Sequence, residues 1–168
     1  MTDTRWLTAE EQQAWRAFLG ASILLFDRLD RELQRDSGIP HTYYEILVRL
    51  SEEPGRALRM SELAANSMSS RSRLSHAVAR LDEFGWVRRE SCDSDGRGSV
   101  AVLTEAGFEK LTDAAHGHVE GVRRHLFDQL TPEQVAQLRT IGEAVVGHLT
   151  ELQGTPKCPE QIAGAATP

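Results

Sequence analysis

Apolar side chains recur at helical spacing from residue 15 to residue 33. They form two rows, Trp15, Phe18, Leu25, Leu29 and Leu33 in one and Leu19, Ile23 and Phe26 in the other. The preceding Thr8-Ala-Glu-Glu11 has the form of a capping box, and Gly38 with Pro40 is typical of a helix end. We therefore predict a long helix over residues 8–37, with an apolar face broad enough to be buried on two sides.

Three shorter helices are predicted next. One runs from about residue 42 to 52 and ends at Glu53-Pro-Gly-Arg56, and another starts near Ser61. The fourth follows Ser69 and Ser70, which suit an N-cap, and ends at Gly85. Its inward face consists of Leu74, Val78 and Leu81.

The hydrophobic period then changes from helical to strand-like. Residues 86–90 and 99–103 flank a polar, turn-rich segment, which predicts one strand pair in the form of a β-hairpin. Thr104 is suited to cap a fifth helix, and Thr131-Pro132 starts a sixth that reaches residue 152. The apolar row expected on the fifth helix is Phe108, Leu111, Ala115, His118 and Val122.

This order of elements predicts a mainly α protein with a small β-hairpin wing. Residues 38–103 would form a winged helix-turn-helix DNA-binding domain. Residues 8–37 and 104–152, from both chain ends, would form a helical dimerisation region, and the Pro-, Ala- and Gly-rich residues 153–168 a disordered tail. A homodimer would place two recognition helices on the half-sites of a palindrome.

Composition narrows the class of protein. The 168 residues are 40% hydrophobic and 26% charged, which is typical of a globular protein, and no apolar run reaches the roughly 18 residues of a membrane span. We expect no membrane association and a cytoplasmic protein. The two cysteines form neither a disulfide framework nor a metal-type pair, so we expect no cofactor and no metal.

Charge is distributed unevenly along the chain. The net charge is −6, yet residues 56–97 hold eight arginines against six carboxylates, and residues 67–81 hold three arginines, one histidine and no acid. A basic segment in an acidic protein is typical of a local phosphate contact, although a solvated helix face has the same composition.

The segment from Ser70 to Arg80 is the candidate recognition helix, entering the groove of double-stranded DNA. Arginine can bridge guanine O6 and N7, and serine or histidine can reach phosphates or base edges. We predict base contacts from the early residues and contacts to bases or phosphates from the later ones. The first group is Ser70, Arg71, Arg73 and Ser75, and the second is His76 and Arg80. Ser72 shares the exposed face and is a DNA-binding candidate without an assigned contact.

The hairpin tip carries Arg97 between two glycines. An arginine in this setting suits the narrow minor groove, and Asp95 would hold it in position. An ordinary polar turn is the alternative interpretation of the tip.

Several motifs together resemble the MarR family of bacterial transcriptional regulators over residues 8–152. They are Ser61-Glu-Leu-Ala, Ser70-Arg-Ser, Val78-Ala-Arg-Leu, Gly85-Trp-Val-Arg-Arg, Asp95-Gly-Arg97 and Val102-Leu-Thr-Glu-Ala-Gly107. The resemblance implies an obligate dimer, recognition through the fourth helix, a wing-tip arginine in the minor groove, and frequent release by a small aromatic or phenolic effector. It also implies no catalysis, and no phosphate-loop, HExxH or G-x-S-x-G motif is present.

Other functions compete with effector-released repression. Five aromatic side chains could line an effector pocket between the dimer helices and the DNA-binding lobe, or pack in the core: Trp15, Phe18, His41, Tyr43 and Tyr44. A winged-helix protein-interaction module, a redox regulator using Cys92, and a metal regulator using His116, His118 and His125 remain alternatives. For the histidines we favour hydrogen-bonded core or interface positions, because their spacing does not suit one ion.

Overall fold

The computed structural model describes residues 4–65, 71–91 and 99–152, leaving aside the side chains at positions 65, 71 and 91. The helices in these ranges are α1 (Ala9–Ser37), α2 (His41–Glu52), α3 (Met60–Ala65), α4 (Arg71–Glu83), α5 (Glu105–His125) and α6 (Pro132–Leu152). The strands are β1 (Ala57–Arg59), β2 (Val87–Ser91) and β3 (Ser99–Leu103). The predicted mainly α class with a small β wing is confirmed.

Local signals account for the helix ends. The Thr8 hydroxyl accepts from the Glu11 amide while the Glu11 carboxylate accepts from the Thr8 amide, so the predicted capping box is present. Gly38 ends α1 in the left-handed conformation, with φ of 68°. Thr104 caps α5 by accepting from the Gly107 amide. Each predicted cap needed only residues close to it in sequence.

The sheet has three antiparallel strands in the order β1-β3-β2, so the prediction of a single strand pair is wrong. β1 pairs Ala57 with Val102, while β2 pairs Val87 with Leu103 and Ser91 with Ser99. β1 has only three residues, and its partner lies more than forty residues away along the chain. No local pattern marks such a strand, because pairing with β3 is what makes it one.

One apolar core joins the helices of residues 38–103, called the lobe below, to the sheet. Its members include Ile39, Ile46, Leu47, Leu50, Leu63, Leu74, Val78, Leu81, Val87 and Ala101, with Leu111 and Ala114 from α5. α1 adds Leu33 near its C-terminal end. By contrast, none of the 21 residues of α6 is buried. No helix of the described ranges is long and apolar enough to cross a membrane.

The buried row of α5 differs from the predicted one in its second half. Ala114 and Gly121 are buried, whereas Ala115 and Val122 are half-buried. The cause is the close approach of α1, since a Cβ on Gly121 would lie 3.1 Å from the Leu29 Cδ2 atom. Hydrophobicity counts did not reveal this contact, because small residues occupy it.

Candidate DNA-binding surface

α4 has one buried and one exposed face. Its buried side chains, at most 6% exposed, are Leu74, Ala77, Val78 and Leu81. Its exposed side chains are Ser72, Arg73, Ser75, His76 and Arg80. Guanidinium, imidazole and hydroxyl groups can all donate to phosphate oxygens or base edges. Arg71 begins the helix, but its side chain and all of Ser70 lie outside the described residues.

The buried face of α4 holds the helix rigidly against the lobe. It belongs to one cluster with Leu47 and Leu50 of α2 and with Val87 at the start of β2. Burying each leucine of such a cluster contributes about 1.5–3 kcal/mol. The exposed side chains are therefore presented on a rigid support.

Arg80 lies on the flank of α4 near the end of the helix. It forms an ion pair with Glu83, and its guanidinium is 5.1 Å from the centre of the Phe84 ring. Both partners of the ion pair are more than half exposed, and exposed pairs contribute about 1 kcal/mol or less. Arg80 can therefore exchange this carboxylate for a phosphate at little cost.

β2 and β3 form the base of the predicted wing. Arg88 on β2 forms an ion pair with Glu90, with 2.6 Å between Nη2 and Oε1. The tip, with the predicted minor-groove residue Arg97, its support Asp95 and the candidate redox residue Cys92, lies outside the described residues.

A close junction joins the wing base to α5. The Thr104 hydroxyl donates to the Gly85 carbonyl at 2.6 Å and accepts from the Gly107 amide at 3.0 Å. Gly85 has φ of 71°, a left-handed turn that suits glycine. A Cβ on Gly107 would lie 2.0 Å from the Trp86 carbonyl oxygen, so only glycine fits there. α5 therefore sits directly on the turn that follows α4.

Within one protomer, the five predicted pocket aromatics lie in separate places, and their part in an effector pocket stays a prediction. Trp15 and Phe18 lie on the exposed first half of α1, 53% and 59% exposed, with ring centres 6.2 Å apart. The ring of Tyr43 faces Phe84 at 6.5 Å. Trp15 lies 14 residues before the first buried leucine of α1, about 21 Å along a helix.

His41 and Tyr44 form a different cluster together with His118. The ring of His118 lies 4.5 Å from that of Tyr44 and 5.4 Å from that of His41, and Phe26 faces His41 at 5.8 Å. Burial, with a smaller effect from His41, lowers the pKa of His118 to about 4. Its Nδ1 atom is buried and has no hydrogen-bond partner among the described residues. The interpretation of His118 as a hydrogen-bonded core or interface histidine is wrong for Nδ1 within the described residues.

His125 makes a polar contact between α5 and α1. Its Nε2 lies 3.0 Å from Oε1 of Glu32, which Arg28 also approaches at 2.8 Å. Burial raises the pKa of Glu32, but the hydrogen bond and charge of His125, followed by those of Arg28, hold it below its usual value. The interpretation of His125 as a hydrogen-bonded histidine is confirmed. No cluster of three or more potential metal ligands occurs in the described ranges.

Comparison with known proteins identifies the family. A MarR family model matches residues 37–98. The chain is 56% identical to Sco3205, a MarR family regulator of Streptomyces coelicolor whose structure was solved in complex with DNA; the match covers 89% of this chain and 93% of that one, with a TM-score of 0.83. For AbsC of the same organism the identity is 46%, covering 90% of this chain and 100% of that one, with a TM-score of 0.80.

A curated relative is more distant. The regulator PecS of Dickeya dadantii is 29% identical over 93 residues, which is 55% of either chain, so the match spans about half the length of PecS. These relatives are transcriptional regulators, not enzymes. The fold shared with Sco3205 and AbsC, and the 56% and 46% identity to them over 89% and 90% of this chain, show that this protein belongs to the MarR family of transcriptional regulators.

Proposed function

We propose that the protein binds double-stranded DNA as a homodimer, at a pseudo-palindromic operator, and represses transcription there. The observation that carries this proposal is the exposed face of α4, which displays Arg73, His76 and Arg80 on a helix whose other face is buried in the lobe core. The 56% identity to Sco3205, which was crystallised with DNA, supports the same function.

Unpartnered apolar faces on α1 and α6 support the homodimer. Exposed apolar side chains follow helical spacing on both helices: Trp15, Phe18, Leu19 and Ile23 on α1, and Leu138, Ile141, Val145, Leu149 and Leu152 on α6. Soluble monomers rarely expose contiguous faces of this extent. A second copy would cover them, so we assign residues 8–37 and 104–152 to dimerisation and residues 38–103 to DNA binding. We assign the tail, residues 153–168, to neither.

For the contacts themselves, the proposal retains the sequence-derived residues. Bases would be read by Ser70, Arg71, Arg73 and Ser75, with Ser72 beside them on the same face. His76 and Arg80 would contact bases or phosphates, and Arg97, supported by Asp95, would enter the minor groove.

An effector site is proposed beside α2. A groove of about 420 Å³ is lined by Phe26 and His41 together with the polar side chains of Asp30, Gln34, Thr42 and Glu45. Its ring-bearing wall adjoins the cluster of His41, Tyr44 and His118. A small phenolic compound would stack on the rings and hydrogen-bond to the polar rim.

The proposed function is tested by selecting duplexes from a genomic library with the purified chain. We expect one pseudo-palindromic sequence to be enriched, with binding that weakens steeply as salt rises. Phenol and salicylate, added in turn, should release that duplex, and His41→Ala should abolish release while His116→Ala, on the exposed face of α5, should not. Enrichment of no sequence would contradict the proposal and favour a protein-interaction module.

A further inference from the structure

A second groove, of about 380 Å³, lies between the first turn of α2 and one flank of α4. Arg73, His76 and Arg80 form the α4 side, and Pro40, Thr42 and Tyr43 form the α2 side. On α4, these residues are spaced by three and four positions, so they form a single row along the helix. The groove therefore has basic groups on one wall and two hydroxyls on the other.

The opposite flank of α4 has a different chemistry. Ser75 is exposed there, Ser72 is exposed between the two flanks, and neither lines the groove. Short hydroxyl side chains permit a close approach to base edges, whereas a row of basic side chains facing hydroxyls matches a phosphate. The two flanks of one helix thus differ in what they can bind.

The α2 wall is held in place by the core. The Tyr43 ring packs against the buried cluster and faces Phe84, while Thr42 is exposed at the groove edge. Because its ring is already packed, Tyr43 has little side-chain entropy left to lose if its hydroxyl donates into the groove.

We propose that this groove seats the phosphate backbone of one DNA strand. The protein is then positioned on the duplex by Arg80, Arg73 and Tyr43. The bases are contacted by the other flank of α4, which carries Ser75. This inference rests on the proposed DNA-binding function and changes the sequence-derived role of Arg73 from base contact to phosphate contact. It also gives Tyr43 a role at the DNA rather than in an effector pocket.

In this proposal, Glu83 competes with DNA for the guanidinium of Arg80. Its ion pair with Arg80 must be replaced by a phosphate contact when DNA binds. Removing the Glu83 charge should therefore strengthen binding to any duplex, an effect that misfolding would not produce.

The test measures affinity for the selected operator and for an unrelated duplex over a range of salt concentrations. Arg80→Ala should weaken both by the same factor and lower the salt slope by roughly 0.9 for each lost phosphate contact. Tyr43→Phe should weaken both about tenfold, as expected for a lost hydrogen bond to a charged group. Glu83→Gln should strengthen both.

Matched variants complete the test. Ser75→Ala should weaken operator binding alone, whereas Arg31→Ala on α1 and Glu120→Gln on α5, which break exposed ion pairs away from α4, should change neither affinity. If Arg80→Ala lowers operator affinity but leaves the unrelated duplex unaffected, or if Glu83→Gln has no effect, the phosphate groove is refuted and the proposed function stands. If the wild-type chain binds no duplex, both fail.

Discussion

At Gly107, the backbone of α5 lies so close to the backbone at Trp86 that a single added methyl group would collide with the Trp86 carbonyl oxygen. The same helix offers a contrast at Gly117, where nothing lies within 4 Å of an added Cβ. Two glycines of one helix thus have opposite requirements.

We predict that Gly107→Ala lowers the free energy of unfolding by about 3 kcal/mol or more, because the close-packed junction must shift. Gly117→Ala should raise it by roughly 0.5–1 kcal/mol, since alanine loses less backbone entropy in a helix. Urea denaturation followed by circular dichroism measures both. Equal effects of the two substitutions would contradict the close contact.

His118 predicts a loss of stability in acid. Burial lowers its pKa from 6.5 to about 4, so the folded chain favours the neutral ring. As pH falls below 6.5, the unfolded chain binds the proton first, and stability decreases until the folded form also titrates near pH 4. We expect a loss of roughly 2 kcal/mol over this window, allowing for the partly exposed ring.

Unfolding midpoints measured between pH 7 and pH 4 check the effect. His118→Gln should flatten the dependence, whereas His116→Gln should retain it. The carboxylate of Glu32 contributes only as pH falls below its ordinary pKa of 4.5, because its lowered pKa stabilises the fold above that value. If the unfolding midpoint of His118→Gln depends on pH as steeply as that of the wild type, the acid sensitivity arises from other groups.

Single residues were predictable where their role is local. Thr8, Gly38, Gly85 and Thr104 each act within a few residues of their own position or at a turn. The role of His118 was not predictable, since its neutral state depends on Tyr44 and His41, which α2 brings from more than seventy residues away.

At the scale of an element, α4 has one face buried in the core and one exposed face to which we assign DNA recognition. We predict that Leu74→Ala lowers the free energy of unfolding by about 2–4 kcal/mol, because it leaves a cavity in the core. Ser75→Ala, on the exposed face, should leave stability unchanged and weaken operator binding.

Denaturation and DNA titration of the two variants measure the separation. A destabilising Ser75→Ala would mean that the exposed face also supports the fold.

Elements were predictable in proportion to their length and periodicity. α1, α5 and α6 each span more than twenty residues, and repeated apolar rows identified them. β1 was missed because three residues contain no period, and its pairing partner is distant in sequence. The groove beside α4 was missed for a related reason, since it depends on how α2 and α4 lie together.

For the whole molecule, the central prediction concerns assembly. The double variant Ile141→Glu and Val145→Glu places charge on the exposed apolar row of α6 and should convert a dimer into a monomer. Operator binding should fall with it, although α4 is unchanged.

Sedimentation velocity and DNA titration check both effects. Arg139→Gln, on the opposite side of α6, serves as the control and should remain dimeric. A double variant that stays dimeric would place the interface elsewhere.

The junction of Thr104, Gly107 and the turn at Gly85 makes α5 a lever arm for the wing and recognition helix. With 21 residues, α5 is about 30 Å long. If α5 tilted by about 5° about its C-terminal end near His125, its N-terminal end and the lobe joined to it would move by about 3 Å. This displacement is close to the roughly 3.4 Å rise of one base pair. In the proposed dimer on a pseudo-palindrome, a small rotation of α5 would therefore put α4 out of register with its half-site while every contact of the junction stays intact.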